Sequence, residues 1–249
     1  PAKNELESVD PALLYNQELN AQESMNLELG IKGFLFESER NAFRKILFEA
    51  TLFQIWIDNE IVPFEVFGDV FFRNAAKTNR RGIELGSGLE IIDKLDFSVA
   101  YTYSDFIYQE YSAQTIEIND QGDLIENDQD FSGNIVPSVP RHNLYLSLAY
   151  SYPIYKNFNG FAKMSYMGVS GLWVDDANTD KTDSYQLLNA VLGLDMSFGK
   201  LNILLSGSLN NMLDEVYVGF TNTNSADRRF YEAGEPRNYF VSLNIGYRF

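Results

Sequence analysis

The sequence contains no cysteine and a single histidine, His142, in 249 residues. The missing cysteines exclude thiol chemistry, disulfides and cysteine-ligated metal, and one histidine leaves little room for a histidine-based metal or catalytic site. Cations are scarce as well, since 19 Lys and Arg stand against 35 Asp and Glu, which gives a net charge of −16. The basic surface that binds nucleic acid is therefore missing. We expect no nucleic-acid partner, no cofactor, no resident metal and no catalytic residue.

Long apolar runs are also lacking. No stretch approaches the length of a transmembrane helix, and the first residues, PAKNELESVDPALLYNQ, are not predicted to form a signal peptide. The chain is nevertheless 45% hydrophobic and 14% aromatic, which is enough for a sizeable core and too much for a disordered polypeptide. The possibility of a protein that crosses the membrane with strands stays open, because its sequence signal is alternation of apolar and polar residues and not continuous hydrophobicity.

Alternation of apolar and polar residues is what the sequence does contain, from one end to the other. It is clear in LDFSVAYTYSDF and in the terminal FVSLNIGYRF, and no helical stripe of comparable length competes with it. The period of two predicts an all-β fold. We predict nine strands, over residues 24–37, 43–65, 70–91, 95–111, 139–151, 158–173, 184–198, 201–215 and 237–249.

The connections between these strands alternate in length. Short turns are predicted at 38–42, 92–94, 152–157 and 199–200, and long polar connections near 66–69, 112–138, 174–183 and 213–236. This order predicts a transmembrane antiparallel β-barrel, with short turns at the periplasm and long loops outside. Nine is an odd number, whereas bacterial single-chain barrels have even strand numbers. We therefore expect residues 1–249 to be the C-terminal portion of a larger barrel.

Four stretches resemble the TonB-dependent outer-membrane receptors. They are YNQELNAQESMNLELGIKG, FFRNAAKTNRRGIELG, FSGNIVPSVPRHNLYLSLAY and LNNMLDEVYVG, followed by the aromatic C-terminus. They occur in the family's order and extend over essentially the whole chain. The resemblance implies a 22-stranded barrel around an N-terminal plug, in line with the plugged lumen of barrels of that size. Neither the plug nor the TonB-binding box before it is in this chain.

The resemblance also implies a function. Such a receptor, in the cell outer membrane, binds a scarce ligand at its outer face, usually a ferric siderophore or another iron complex, and imports it with energy delivered by the TonB complex. Its surroundings would be outer-membrane lipid and lipopolysaccharide, and the closing strand with Tyr247 and Phe249 resembles the signal read by the barrel assembly machinery. The alternatives are a glycan importer of the same receptor class, working with a surface lipoprotein, and a passive porin-like or structural barrel.

Two basic stretches are candidate ligand sites. In NSADRRFYEAGEPRNY, the candidates Arg228, Arg229, Tyr231 and Arg237 would suit an anionic iron complex through charge-assisted hydrogen bonds. Solvation, or pairing with neighbouring acidic residues, explains them equally well. In RNAAKTNRRG, the cations Arg73, Lys77, Arg80 and Arg81 could bind an anionic chelate, or could form a lumen-facing ladder of charges paired with residues such as Glu84 and Glu90.

The acidic loops have a simpler prediction. QTIEINDQGDLIENDQD has no Lys or Arg, and its NDQGD lacks the full order of a calcium loop. We predict a hairpin with a solvated acidic surface there, and a solvated acidic loop at VDDANTDKTD. Divalent ions bridging these carboxylates to lipopolysaccharide phosphates are the alternative.

His142 is the one candidate for enzyme chemistry, together with Ser147 in RHNLYLS. The two residues differ by an odd number, so on one strand they point to opposite faces and cannot form a dyad. We predict a structural role for His142 at the outer rim, and no enzymatic activity.

Overall fold

The chain folds as an antiparallel β structure. The computed structural model describes residues 19–37, 45–66, 69–92, 94–118, 124–225 and 231–249. In those ranges the strands are β1 (Glu23–Glu37), β2 (Lys45–Val66), β3 (Asp69–Ile92), β4 (Leu95–Ile118), β5 (Leu124–Asp130), β6 (His142–Tyr155), β7 (Phe158–Val169), β8 (Tyr185–Phe198), β9 (Leu201–Asn210), β10 (Val218–Thr221), β11 (Tyr231–Ala233) and β12 (Asn238–Tyr247). No helix in these ranges is long and apolar enough to span a bilayer.

Nine of the strands form one meandering sheet, in the order β1-β2-β3-β4-β6-β7-β8-β9-β12. The predicted all-β fold and its nine strands are therefore confirmed. The sheet is open, with β1 and β12 as its edges. Strand β5 pairs with the far end of β4 from Ser112↔Asp130 to Ile118↔Leu124, which confirms the hairpin predicted within that loop. Strands β10 and β11 form a separate small hairpin.

The two faces of the sheet differ in chemistry because successive side chains project to opposite sides. On one face, serines meet across strands, as where the Oγ atoms of Ser98 and Ser147 lie 3.0 Å apart, and Ser242 pairs with Ser206. We call the other face the apolar wall. Its members are large and solvent-exposed, and include Leu29, Leu52, Ile83, Leu85, Leu148, Tyr150, Met164, Leu192, Leu205, Val241 and Leu243.

The terminal strand follows this division. Val241, Leu243 and Ile245 pair with Gly207, Leu205 and Ile203 of β9 on the apolar wall. Their side chains are 68%, 60% and 62% exposed, so the described residues of the chain do not cover this face. The strict alternation of the C-terminus therefore reflects two different environments on the two sides of one strand.

Some predicted boundaries were wrong at the ends of the strands that lead into long loops. Strand β7 was predicted to reach residue 173 but ends at Val169, and β9 was predicted to reach 215 but ends at Asn210. In both cases side-chain hydrogen bonds take over from the strand ladder: Ser170 Oγ accepts from the amide of His142 (3.0 Å), and Asn211 forms a turn of its own.

The connection predicted near 66–69 as a long polar loop is also different. Strands β2 and β3 stay paired up to Val66↔Asp69. The chain therefore runs as strand almost to the turn between them, and no long loop is present there. The pairing tolerates irregularities between Ile57 and Ile61, where Asn59 has a φ of 54°. The strand bounds predicted here, 43–65 and 70–91, agree with this pairing, so only the expectation of a long loop was wrong. We call this end of the sheet the long-loop end, and the opposite one the short-turn end.

Candidate functional site

An apolar cluster lies at the long-loop end, on the face opposite to the apolar wall. It is built on the extensions of β2, β3 and β4, and the loop after β5 closes over it. Its buried members are Val62, Ala76, Tyr108, Tyr111, Ala113, Phe131 and Val136, with Phe106 packed against them. The rings of Tyr111 and Phe131 lie 5.1 Å apart, so the loop is anchored by aromatic contact as well as by area buried. The loops therefore pack on the extensions of β2, β3 and β4.

A buried carboxylate, Asp176, lies directly on this cluster. Tyr108 donates its hydroxyl to Oδ1 at 2.7 Å and Tyr111 to Oδ2 at 2.8 Å, while Asn224 donates Nδ2 to Oδ2 at 2.9 Å. Asp176 is only 3% exposed. Burial raises the pKa of this carboxyl, and the three donors act in the opposite direction by favouring the ionised form. A carboxylate with three donors is well suited to hold separate segments together.

The backbone around Asp176 extends the network to two further loops. The Asp176 amide donates to Asn224 Oδ1 at 3.0 Å, and its carbonyl accepts from Asn134 Nδ2 at 2.8 Å. Asn178 imitates a strand partner for Ile135, because Oδ1 accepts from the Ile135 amide (2.8 Å) and Nδ2 donates to the Ile135 carbonyl (2.9 Å). Asparagine suits these positions because its side chain mimics a peptide group and tolerates the left-handed backbone, and Asn178 has a φ of 55°.

Three more contacts complete the arrangement. Asn224 donates to the carbonyl of Pro63 on β2 (3.2 Å). Ser138 Oγ lies 2.9 Å from Thr221 Oγ1 and 2.6 Å from Thr223 Oγ1. We call residues 131–141, 170–184 and 221–225, with the β2–β4 extensions beneath them, the loop assembly. It is one interconnected body at the long-loop end and not a set of independent loops.

Three cations of the basic stretch RNAAKTNRRG pair with carboxylates. Arg81 and Arg141 both bind Asp105, each with an Nη2–Oδ distance of 2.8 Å, and Asp105 is buried. Arg80 pairs with Glu60. Lys77 lies 3.3 Å from Glu110 and 4.0 Å from Asp58, and Arg73 donates to Tyr111 Oη at 3.3 Å. Lys77, Arg80 and Arg81 therefore form paired charges, as one interpretation predicted, and the lumen-facing direction of this ladder stays a prediction.

The candidate ligand residues of the last loop are placed only in part. Arg228 and Arg229 lie outside the described residues. Arg237 pairs with Asp214 at 3.2 Å, with both side chains about half exposed. Tyr231 begins β11, where partial burial and the nearby carboxylates of residues 175, 180 and 183 raise its pKa to about 12. The described surroundings of Tyr231 are thus acidic.

Two acidic residues of VDDANTDKTD contradict the prediction of a solvated loop. Asp175 and Asp176 are buried. Asp175 caps the following turn, accepting from the Thr179 amide at 2.8 Å and from its hydroxyl at 2.6 Å. The only signal in the sequence was the Asp-Asp-x-Asn spacing, which is typical of side-chain-stabilised turns but does not reveal burial. Sequence reasoning therefore missed the centre of the loop assembly.

The possible dyad of His142 and Ser147 is excluded by geometry. His142 Nδ1 lies 2.8 Å from Tyr101 Oη, and its ring is 5.2 Å from that of Tyr103. These residues lie on the apolar-wall side, whereas Ser147 pairs with Ser98 on the other face. His142 begins β6 within an aromatic group, and its structural role at the outer rim stays a prediction.

Comparison with known proteins identifies the family to which this architecture belongs. The model of the family described as TonB dependent receptor-like, β-barrel, matches residues 4–222. A ferrioxamine B receptor of Salmonella typhimurium (strain SL1344) is 26% identical over 158 residues, which cover 61% of this chain and 20% of that receptor. PiuA of Acinetobacter baumannii is 24% identical over 234 residues, which cover 93% of this chain and 28% of PiuA.

A solved structure agrees with the sequence relatives. The crystal structure of the siderophore receptor PiuA from Acinetobacter baumannii has a TM-score of 0.67 at 22% identity, over 96% of this chain and 30% of that one. At this identity the likeness concerns the fold. The chain spans less than a third of the length of each of these receptors.

Proposed function

The chain belongs to the TonB-dependent receptor β-barrel family, and we propose that it forms the C-terminal portion, residues 1–249, of an outer-membrane receptor for a ferric siderophore or another iron complex. The match over residues 4–222 is the observation that carries this proposal. The receptor imports its ligand with energy transduced through TonB, which acts on the N-terminal region of the whole protein. The matched relatives are transport receptors and not enzymes. Their names favour neither a glycan importer nor a passive barrel.

The orientation follows from the asymmetry of the connections. The short turns face the periplasm, the loop assembly faces outside, and the apolar wall contacts outer-membrane lipid, with lipopolysaccharide around the outer ends. The barrel assembly machinery recognises the closing strand through Tyr247 and Phe249, whose rings pack edge to face at 5.3 Å. Deleting Phe249 should therefore lower the amount of receptor inserted in the outer membrane, while substitution of the polar-face Ser242 by Thr should leave it unchanged.

The ligand contacts proposed in the last loop are Arg228, Arg229, Tyr231 and Arg237. The pair of Arg237 with Asp214 is compatible with this role, because a half-exposed ion pair contributes little and can exchange partners. An anionic iron complex would take the guanidinium through charge-assisted hydrogen bonds. Tyr231 keeps its proton at neutral pH and would act as a hydroxyl donor.

Growth on a panel of iron sources tests the function. A strain lacking the full-length receptor should fail to grow on one iron-loaded siderophore while using the others normally. In the purified receptor, Arg237→Gln should weaken binding of that siderophore about tenfold or more, the loss typical of a hydrogen bond to a charged group. The control Arg248→Gln, at the short-turn end, should bind normally. If iron limitation did not induce the receptor and its loss affected no iron source, the proposal would fail.

A further inference from the structure

A groove runs along the apolar wall near its short-turn end, with a volume of about 550 Å³. Tyr152 and Ile154 of β6 form one side and Val241 of β12 the other, while Gly160 and Gly207 lie between larger neighbours. We propose that this groove binds an acyl chain of an anionic phospholipid and that cations of the neighbouring turns hold its phosphate. The inference rests on the membrane placement under Proposed function.

The groove exists because two glycines each lie between larger cross-strand neighbours, Gly207 being paired with Leu192 and Val241. Tyr152 pairs with Gly160 of β7, and Gly160 with Leu194 of β8. At Gly207 an added Cβ would find no atom closer than 4.0 Å, so the space above it is open. A Leu at this position would project into the groove without displacing the backbone.

The cations stand at the short-turn end of the same strands. Lys156 lies in the turn between β6 and β7, and Lys200 in the turn between β8 and β9. The Arg248 amide donates to the Lys200 carbonyl at 2.9 Å, which places the two residues side by side. All three side chains are exposed, and none forms an ion pair with another residue that the structure describes. In a chain of net charge −16, this positively charged rim complements a phosphate headgroup.

The depth of the groove identifies the leaflet. Gly207 lines the groove seven residues after Lys200, which is about 23 Å along a strand at roughly 3.3 Å per residue. With a tilt of about 40° this becomes roughly 18 Å of depth below the lysine, within half of a bilayer of about 40–45 Å including its headgroups. Groove and rim therefore contact one lipid of the periplasmic leaflet, and a phospholipid is the occupant to which the geometry points.

Native mass spectrometry of the full-length receptor tests this directly. The receptor is equilibrated in mixed micelles that contain phosphatidylglycerol and phosphatidylcholine, and the lipids retained after detergent removal are counted. We expect preferential retention of phosphatidylglycerol. Gly207→Leu should abolish the retained lipid, and so should Ala162→Leu, which narrows the same groove from β7. The control Gly33→Leu adds the same side chain to the apolar wall outside the groove and should retain lipid normally.

The headgroup is tested separately. The double variant Lys156→Gln, Lys200→Gln should lose the preference for phosphatidylglycerol over phosphatidylcholine, whereas Lys163→Gln, on the opposite face of β7, should keep it. Unchanged retention in both groove variants, an unchanged preference in the lysine variant, or retention of lipopolysaccharide in place of phospholipid would overturn the proposal. These counts need no siderophore, so failure of the transport function would leave them unaffected, and failure of lipid binding would not alter the iron-source growth test.

Discussion

Replacing Tyr108 by Phe removes one hydroxyl from the loop assembly and leaves the ring in the apolar cluster. The hydroxyl donates to Asp176 Oδ1 at 2.7 Å, and both residues are buried. A hydrogen bond to a charged group contributes about 1.5–3 kcal/mol net. The variant should therefore destabilise the assembled loops by about that amount, without changing the strands below.

Hydrogen exchange of the loop amides is the assay of choice, because the network joins loops and global unfolding would not resolve it. The informative amides are those of Asp176, which donates to Asn224, and of Ile135, which donates to Asn178. A loss of 1.5–3 kcal/mol corresponds to exchange about 10- to 150-fold faster when opening is in rapid equilibrium. Both amides should accelerate together, since one carboxylate holds both loops.

A matched control is available in Tyr101. Its hydroxyl also has a polar partner, His142 at 2.8 Å, but lies outside the loop assembly. Tyr101→Phe should leave the exchange of both amides unchanged. The reasoning is refuted if Tyr108→Phe changes exchange by less than about twofold, or if Tyr101→Phe accelerates it equally.

Three further predictions concern other parts of the chain. In a bilayer, Leu243→Arg should cost about 2–4 kcal/mol near the midplane, and Ser242→Arg much less; equal losses in urea unfolding of the reconstituted receptor would contradict the assignment of faces. Because burial raises the pKa of Asp176, the assembled loops bind a proton more readily than the opened loops, so their stability should increase as pH falls from neutral towards the ordinary value of 3.8. Hydrogen exchange of the loop amides, corrected for intrinsic rates, should then slow on acidification in the wild type and not in Asp176→Asn. Opening of the loops in acid would mean that the three hydrogen-bond donors lower the pKa of Asp176 by more than burial raises it. Asn211→Ala should destabilise the turn after β9 by about 2–4 kcal/mol, through lost hydrogen bonds and a strained left-handed backbone. Asn211→Gly should recover the share of this loss that comes from backbone strain. Equal hydrogen-exchange rates in the two variants would rule out that strain.

The strands could be predicted from the sequence because each one lies between two environments. Along β12, Leu243 and Ser242 face opposite sides, and that difference is written into the residues as a period of two. The same rule correctly separated His142 from Ser147. Where a strand leaves this two-sided setting, as at Val169 and Asn210, the pattern gave boundaries that were several residues too long.

The loop assembly could not be predicted, because its contacts depend on distances across the fold. Asp176 has the same sequence context as a solvated acidic residue, and only the approach of Tyr108, Tyr111 and Asn224 makes it a buried one. Arg81 presented a similar difficulty, since its partner Asp105 comes from the next strand and not from the neighbouring acidic residues. Pairing across strands depends on register, which alternation alone does not define.

The interlocked loops also determine how an antibody can recognise this surface. Asn224 reaches Pro63, 161 residues away in sequence, and the segment around Asp176 takes its shape from residues of β4 and two other loops. A synthetic peptide of residues 170–184 lacks every one of these partners. An antibody raised against the assembled loops should therefore recognise the folded receptor and no linear fragment of it, so a useful immunogen has to present several loops on their strands.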